Sequence, residues 1–121
     1  MELIALVNDV NSASKSDLIT AIDQLWSRFL PTLLERVSTL ESAVAAFAQH
    51  ELTGEQQEAA FAAAHNLAGV LGTFSLERGT DLARELELLF GLARRPNRHL
   101  AKRLSSLTAE LRALIENRRV S

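Results

Sequence analysis

Cysteine is absent from this chain of 121 residues. Without a thiol, the chain cannot hold a disulfide framework, a zinc-thiolate site or a cysteine nucleophile. Residues 1–17 contain no basic stretch followed by a long apolar run, so no secretory signal peptide is predicted. Together these absences favour a cytoplasmic protein.

Apolar runs of the kind that cross a bilayer are also missing. The longest uncharged stretch, residues 59–76, approaches the length of a membrane span. It contains His65, Asn66 and two glycines among many alanines, which makes it a poor candidate for burial in lipid. We therefore expect no membrane segment.

Signs of an autonomous catalytic centre are equally scarce. The chain has no glycine-rich nucleotide loop, which argues against kinase activity. The residues three positions before the histidines are Phe47, Ala62 and Pro96, so the Glu-x-x-His motif of di-iron bundles is absent. Residues 94–121 hold eight basic residues against two acidic ones, but no aromatic side chains alternate with them for stacking on bases. We predict no enzyme, no resident cofactor, no metal site and no nucleic-acid partner.

Helical periodicity dominates what is present. The length and a hydrophobic content of 47% are enough for a single domain with a real core, and no alternating strand pattern occurs. Five helical segments are predicted. The first begins at Ser14 and ends before Pro31, and the second ends at His50. The third begins at Thr53 and runs to about Leu71 or Gly72, and the last two follow it with apolar stripes over 76–90 and 100–114. Ser75 is predicted to cap the fourth segment, and Pro96 suits the first turn of the fifth.

Local signals fix the other boundaries. Ser14 with Asp17, and Thr53 with Gln56, have the spacing of capping boxes. Pro31 removes a backbone donor, so we expect the chain to break or kink there. The stripes on either side of this break are Leu18, Ile22, Leu25, Trp26 and Phe29, and then Leu33, Val37, Leu40, Val44 and Phe47.

Short connections between such segments favour antiparallel neighbours. The predicted fold is therefore all-α, an up-and-down antiparallel four-helix bundle with an additional N-terminal helix. The whole chain, 1–121, forms one domain, and residues 1–15 are an extension that is either disordered or a short helix.

The third segment carries the functional signal. Its apolar positions converge on one side of the helix at 100° per residue. His65 lies roughly 160° from the mean direction of that core face, so its imidazole should point into solvent. The core positions are Ala60, Ala63, Ala64, Leu67, Val70, Leu71 and Phe74.

Small residues surround His65 on the predicted outer face. A glycine within a helix costs about 1 kcal/mol relative to alanine, and an exposed one recovers nothing by packing. Close approach of a docking partner would explain Gly69, whereas Gly72 can equally be read as a helix end. Phe61 can be a docking contact or a partly buried core residue. The predicted docking positions are Phe61, Ala62, Ala68, Gly69 and Gly72.

The run from Ala64 to Phe74, followed by Leu76, Leu82 and Glu87, resembles the signature of histidine-containing phosphotransfer (HPt) domains. The resemblance implies that His65 accepts a phosphoryl group from the aspartate of a receiver domain in a two-component relay. It also implies a carrier whose Mg²⁺ and catalytic groups belong to the partner, which would be the receiver domain of a response regulator or of a hybrid histidine kinase. A monomer is expected.

The sequence departs from the HPt pattern at the lysine that commonly follows the histidine by one or three positions. Asn66 and Ala68 stand there instead. Arg78 or Arg84 could supply the missing charge, although ordinary solvated arginines are the favoured reading. The departure supports one alternative, a degenerate HPt relative that serves as a phosphorylation-independent interaction or dimerisation domain.

Overall fold

Four α-helices joined by short loops make up the protein in this computed structural model, which describes residues 2–92 and 95–118 and side chains from residue 15 onward. Each helix packs against two neighbours, in the cyclic order α1, α2, α3, α4, and within the described residues the backbones of the diagonal pairs do not come close to each other. The prediction of an all-α bundle is confirmed. The helices are α1 (Glu2–Ala48), α2 (Gly54–Thr73), α3 (Glu77–Gly91) and α4 (Arg98–Asn117).

The predicted break at Pro31 is wrong, because α1 continues through it as one helix of 47 residues. Pro31 is exposed, so the carbonyl that loses its partner faces solvent and can be hydrated there. Trp26 before it and Leu33 after it are both buried on the same face. Packing on that common face outweighs the local cost of one missing hydrogen bond. The predicted helix start at Ser14 is wrong, because α1 begins at Glu2 and continues through Ser14. Within the described residues no separate additional N-terminal helix is found.

The length of α1 explains why its first apolar stripe is only partly buried. At 1.5 Å per residue α1 is about 70 Å long, whereas α4, with 20 residues, is about 30 Å. Burial on α1 begins at Asp23 and Trp26. The predicted core positions Leu18, Ile22, Leu25 and Phe29 are exposed by 60%, 36%, 41% and 37%.

The loop from α2 to α3 is built on Ser75, which has a left-handed φ of 59°. Ser75 N–H donates to the Gly72 carbonyl at 3.1 Å, and Leu76 N–H donates to the Leu71 carbonyl at 2.9 Å. This pair of bonds is a Schellman motif. Ser75 therefore ends α2. The prediction that it caps the next helix is wrong, since Leu76 is the N-cap of α3 and has no side-chain cap bond.

The start of α2 agrees with the sequence. The Thr53 hydroxyl accepts from Gln56 N–H at 3.1 Å, and the Gln56 side chain accepts from Thr53 N–H at 3.0 Å. This capping box fixes the entry of the helix that carries His65.

Ion pairs connect α4 to its neighbours. Arg103 binds Glu85 of α3 through two hydrogen bonds of 2.6 and 2.8 Å. Arg112 binds Glu41 of α1 at 2.7 and 2.8 Å, and this hydrogen bonding lowers the pKa of the Glu41 carboxyl. These pairs are partly exposed, so each contributes little to stability.

Candidate functional site

His65 projects from the middle of α2 with its side chain 70% exposed. Its Nδ1 lies 2.6 Å from Oε2 of Glu87, which is on α3 and only 24% exposed. A carboxylate can only accept a hydrogen bond, so Nδ1 carries the proton and donates it. The exposed imidazole is thus held through its Nδ1 atom by a carboxylate of the neighbouring helix.

The contact with Glu87 has a direct chemical result for the second ring nitrogen. When Nδ1 of an imidazole is protonated and the ring is neutral, Nε2 holds a lone pair in the ring plane. The carboxylate therefore favours the tautomer whose Nε2 is unprotonated. This arrangement is suited to nucleophilic attack on an electrophile that approaches from solvent.

Small and half-exposed residues surround His65, largely as predicted. Phe61 is 41% exposed, and Ala62, Gly69 and Gly72 are exposed. A Cβ added at Gly69 would meet no atom within 4 Å, so packing does not require a glycine there. Gly72 lies inside α2, which ends at Thr73, and it has no positive φ.

Ala68 is the exception, because only 7% of it is exposed. The prediction that it lies on the outer face is wrong. Three residues turn a helix by 300°, so Ala68 lies 60° to one side of His65. That side faces α3, since Phe61, His65 and Gly72 on the same stripe of α2 lie against residues of α3. Because α2 is covered by two neighbouring helices, its buried arc is wider than one apolar stripe.

α2 and α3 run antiparallel, and three pairs of residues define their register beside His65. A Cβ on Gly91 would lie 3.1 Å from Cε2 of Phe61, His65 meets Glu87, and a Cβ on Gly72 would lie 3.8 Å from Oγ1 of Thr80. In these pairs the residue number rises along α2 while it falls along α3. The lack of a side chain at Gly91 lets the Phe61 ring lie against the end of α3.

The two arginines that were considered as sources of positive charge differ in their surroundings. Arg78 binds Glu110 of α4 through Nε at 2.7 Å and Nη2 at 2.9 Å, and this hydrogen bonding raises its pKa. Arg84 is exposed and forms no ion pair with any residue that the structure describes. The Arg78 guanidinium is therefore bound to a carboxylate of α4, whereas the Arg84 guanidinium can bind another group.

The outlying histidines lie away from this arrangement. His50 is the left-handed residue just past α1, with φ 60°, and His99 is at the start of α4. In the described part of the chain, no three His, Asp or Glu side chains come together as a group that could hold a metal ion. None of the described helices has the length and apolar character needed to cross a membrane.

Sequence reasoning found His65 but assigned no role to Glu87 beyond its place in the signature. Its place in the signature is the only signal in the sequence, because Asp81 and Glu85 of the same predicted helix are equally acidic. The register between α2 and α3, which decides that Glu87 meets His65, cannot be derived from the sequence alone.

Two comparisons with known proteins give matches. A family model described as "Hpt domain" matches residues 24–119. Protein RcaC from Microchaete diplosiphon is 33% identical over 82 residues, which cover 68% of this chain and 13% of RcaC. The chain thus corresponds to a small part of that relative. No solved structure gives a significant match.

Proposed function

This chain belongs to the Hpt domain family, and we propose from this that it carries a phosphoryl group on Nε2 of His65 between receiver-domain aspartates. Hpt domains take part in phosphotransfer within two-component relays and serve as carriers rather than catalysts. The observation that carries the proposal is the 2.6 Å contact between Nδ1 of His65 and Glu87. It leaves Nε2 as the exposed nucleophile.

The transfer step can be written with all its bonds. The Nε2 lone pair attacks the phosphorus of an aspartyl phosphate, and the bond between phosphorus and the aspartate oxygen breaks. The aspartate leaves as a carboxylate with the bonding electron pair. No proton has to move, because Nε2 carries none and Nδ1 keeps its own. The positive charge that develops on the ring is compensated by the Glu87 carboxylate.

The partner supplies the rest of the chemistry. Phosphoryl transfer needs in-line positioning and neutralisation of charge on the equatorial oxygens, commonly by a metal ion. Within the described residues there is no group to hold such an ion. In the proposed reaction Mg²⁺ stays on the receiver domain, which belongs to a response regulator or a hybrid histidine kinase in the cytoplasm.

The docking surface for the receiver is the exposed face around His65, formed by Phe61, Ala62, Gly69 and Gly72. Small residues let another backbone approach closely, and the half-exposed Phe61 ring offers apolar area at the edge. The alternative of a phosphorylation-independent domain is less favoured, since an oriented imidazole would have no purpose in it.

The test is transfer from a phosphorylated receiver domain to the protein, followed as an acid-labile and alkali-stable label. His65→Gln should abolish the label while melting temperature and helix content stay nearly unchanged, because an exposed side chain contributes little to stability. His99→Gln is the matched control and should be labelled like the wild type. Label retained in His65→Gln would move the acceptor to another histidine and refute the proposal.

A further inference from the structure

The helix that carries His65 lacks positive charge. α2 carries no lysine or arginine along its whole length, Gly54–Thr73. The Nδ1 atom of the His65 ring faces a negative group, the Glu87 carboxylate, at 2.6 Å. A phosphoryl group on Nε2 would bring about two further negative charges to this place. Without a nearby cation, both the transition state and the phosphorylated product are penalised.

α3 is the neighbour that can supply this cation, and it holds two arginines. Arg78 is bound to Glu110 by two hydrogen bonds and would have to give them up. Arg84 forms no ion pair within the described residues and is exposed. A shallow concavity beside Arg84 is also lined by Gly72, Thr80 and Asp81.

The register of the two helices places Arg84 next to His65. On α3 the positions Thr80, Arg84, Glu87 and Gly91 follow each other at intervals of four, three and four, which puts them on one stripe. Three of them face Gly72, His65 and Phe61 of α2 in the contacts described above. By the same register, the fourth position, Arg84, faces Ala68 and Gly69 of α2.

The space for a long side chain is open at this point. Gly69 is exposed and has no atom within 4 Å of where its Cβ would be, and Ala68 ends at Cβ. From Arg84 to Glu87 the axial rise is about 4.5 Å, which an extended arginine side chain spans. The guanidinium can therefore lie over Gly69 and reach a group attached to Nε2 of His65.

The acidic groups facing Arg84 do not remove it from this role. Asp81 lies one turn earlier on α3 and Glu77 two turns earlier, and both line the same concavity. Neither forms an ion pair with Arg84. They would hold the side chain near the α3 surface only weakly, because exposed pairs of this kind contribute little.

We propose that Arg84 binds the phosphoryl oxygens on His65, and that Ala68 and Gly69 are small so that the guanidinium can pass over them. The proposal rests on the function proposed above. A guanidinium suits the task, because it presents several N–H donors in a planar fork that matches phosphate oxygens. The docking face thus carries its own positive charge from α3 rather than from α2.

The test uses phosphoramidate as the phosphoryl donor, since it requires no partner that could bring a cation of its own. Labelling of His65 is followed by phosphorus NMR over a range of phosphoramidate concentrations in the wild type, Arg84→Ala, Arg84→Lys and the control Arg28→Ala. Arg28 is an exposed arginine on α1, and its removal changes the net charge by the same amount.

The labelling efficiency is the maximal rate divided by the phosphoramidate concentration that gives half of that rate. We expect Arg84→Ala to lower it about tenfold, mainly by raising this concentration. Arg84→Lys should restore most of it, and Arg28→Ala should match the wild type. The difference between wild type and Arg84→Ala should shrink at high salt, whereas a loss of fold would not respond in this way.

Three results decide the matter. Equal labelling of wild type and Arg84→Ala overturns the role of Arg84 while leaving the proposed function intact. An equal loss in Arg84→Ala and Arg28→Ala also overturns it, since net charge alone would then be responsible. A wild type that accepts no label from phosphoramidate or from a phosphorylated receiver overturns the proposed function itself.

Discussion

At the scale of single residues, the pair of His65 and Glu87 matters for orientation more than for stability. The histidine side chain is 70% exposed, and exposed pairs contribute roughly 0 to 1 kcal/mol. A side chain that adds so little to the folded state can change without unfolding the protein. The effect of the Glu87 carboxylate on the rate of transfer can therefore be measured in variants that still fold.

Replacing Glu87 tests this directly. Glu87→Ala should slow phosphoryl transfer to His65 about tenfold or more, because the ring loses the acceptor that fixes its tautomer and the charge that compensates the imidazolium. Glu87→Gln keeps an acceptor oxygen but no charge, so its rate should fall between the two. Single-turnover transfer from a phosphorylated receiver measures these rates. Equal rates in all three proteins would mean that the hydrogen bond has no part in transfer.

Exposure of His65 could be predicted from helical spacing, since its angle from the core face depends only on positions within α2. The partner of Nδ1 could not. Glu87 is 22 residues away in sequence, and the meeting depends on the register between α2 and α3. That register is set by packing across the loop at Ser75, where a serine adopts a left-handed conformation usually given to glycine.

At the scale of elements, α2 combines a buried face with an exposed face that is poorer in helix-forming residues than stability alone would favour. Gly69→Ala should stabilise the isolated domain by up to about 1 kcal/mol, since Gly69 is helical and nothing occupies the space beside it. Thermal or urea unfolding measures this change.

Gly69→Leu separates docking from folding on the same helix. The variant should fold like the wild type but slow transfer from the receiver, because a leucine would block close approach and cover the path of Arg84. Transfer at the wild-type rate would mean that the patch of small residues is not a docking surface. Unfolding would mean that Gly69 is packed in solution.

The errors in predicting elements share a physical origin. The local cost of Pro31 predicts a break, yet the core residues on both sides of it hold α1 together. The apolar stripe of α2 alone predicts that Ala68 is exposed, yet two neighbouring helices bury a wider arc. In both cases, tertiary packing decided against a rule that considers one segment at a time. The capping box at Thr53 is confirmed because a loop precedes α2, whereas the equally local box at Ser14 lies inside α1, where the helix continues on both sides.

At the scale of the whole molecule, the core is made by stripes that the periodicity predicts well from Leu33 onward. Leu67 is completely buried on the face of α2 opposite His65. Leu67→Ala should lower the free energy of unfolding by about 2 to 5 kcal/mol through the cavity that it leaves. Urea denaturation gives this value. An unchanged transition would mean that α2 is rotated relative to the bundle.

The part of the fold that sequence could not supply is where the bundle stops. Periodicity places Leu18 and Trp26 on one stripe, but only the lengths of α2, α3 and α4 decide that Trp26 is covered and Leu18 is not. A monomeric state stays a prediction, and the exposed stripe of α1 is the surface on which it depends.

Trp26 is the single tryptophan of the chain, and it lies where the bundle closes. The Phe74 ring meets it edge-on at 5.1 Å, and the Arg118 guanidinium lies 4.7 Å from its centroid. Phe74 follows His65 by nine residues, about 13 Å along α2. The indole is therefore a built-in optical probe, and we expect its emission to change when Arg118, just past the end of α4, docks against α1. Spectroscopy can thus follow assembly of the bundle without an added label and at a distance from the His65 imidazole.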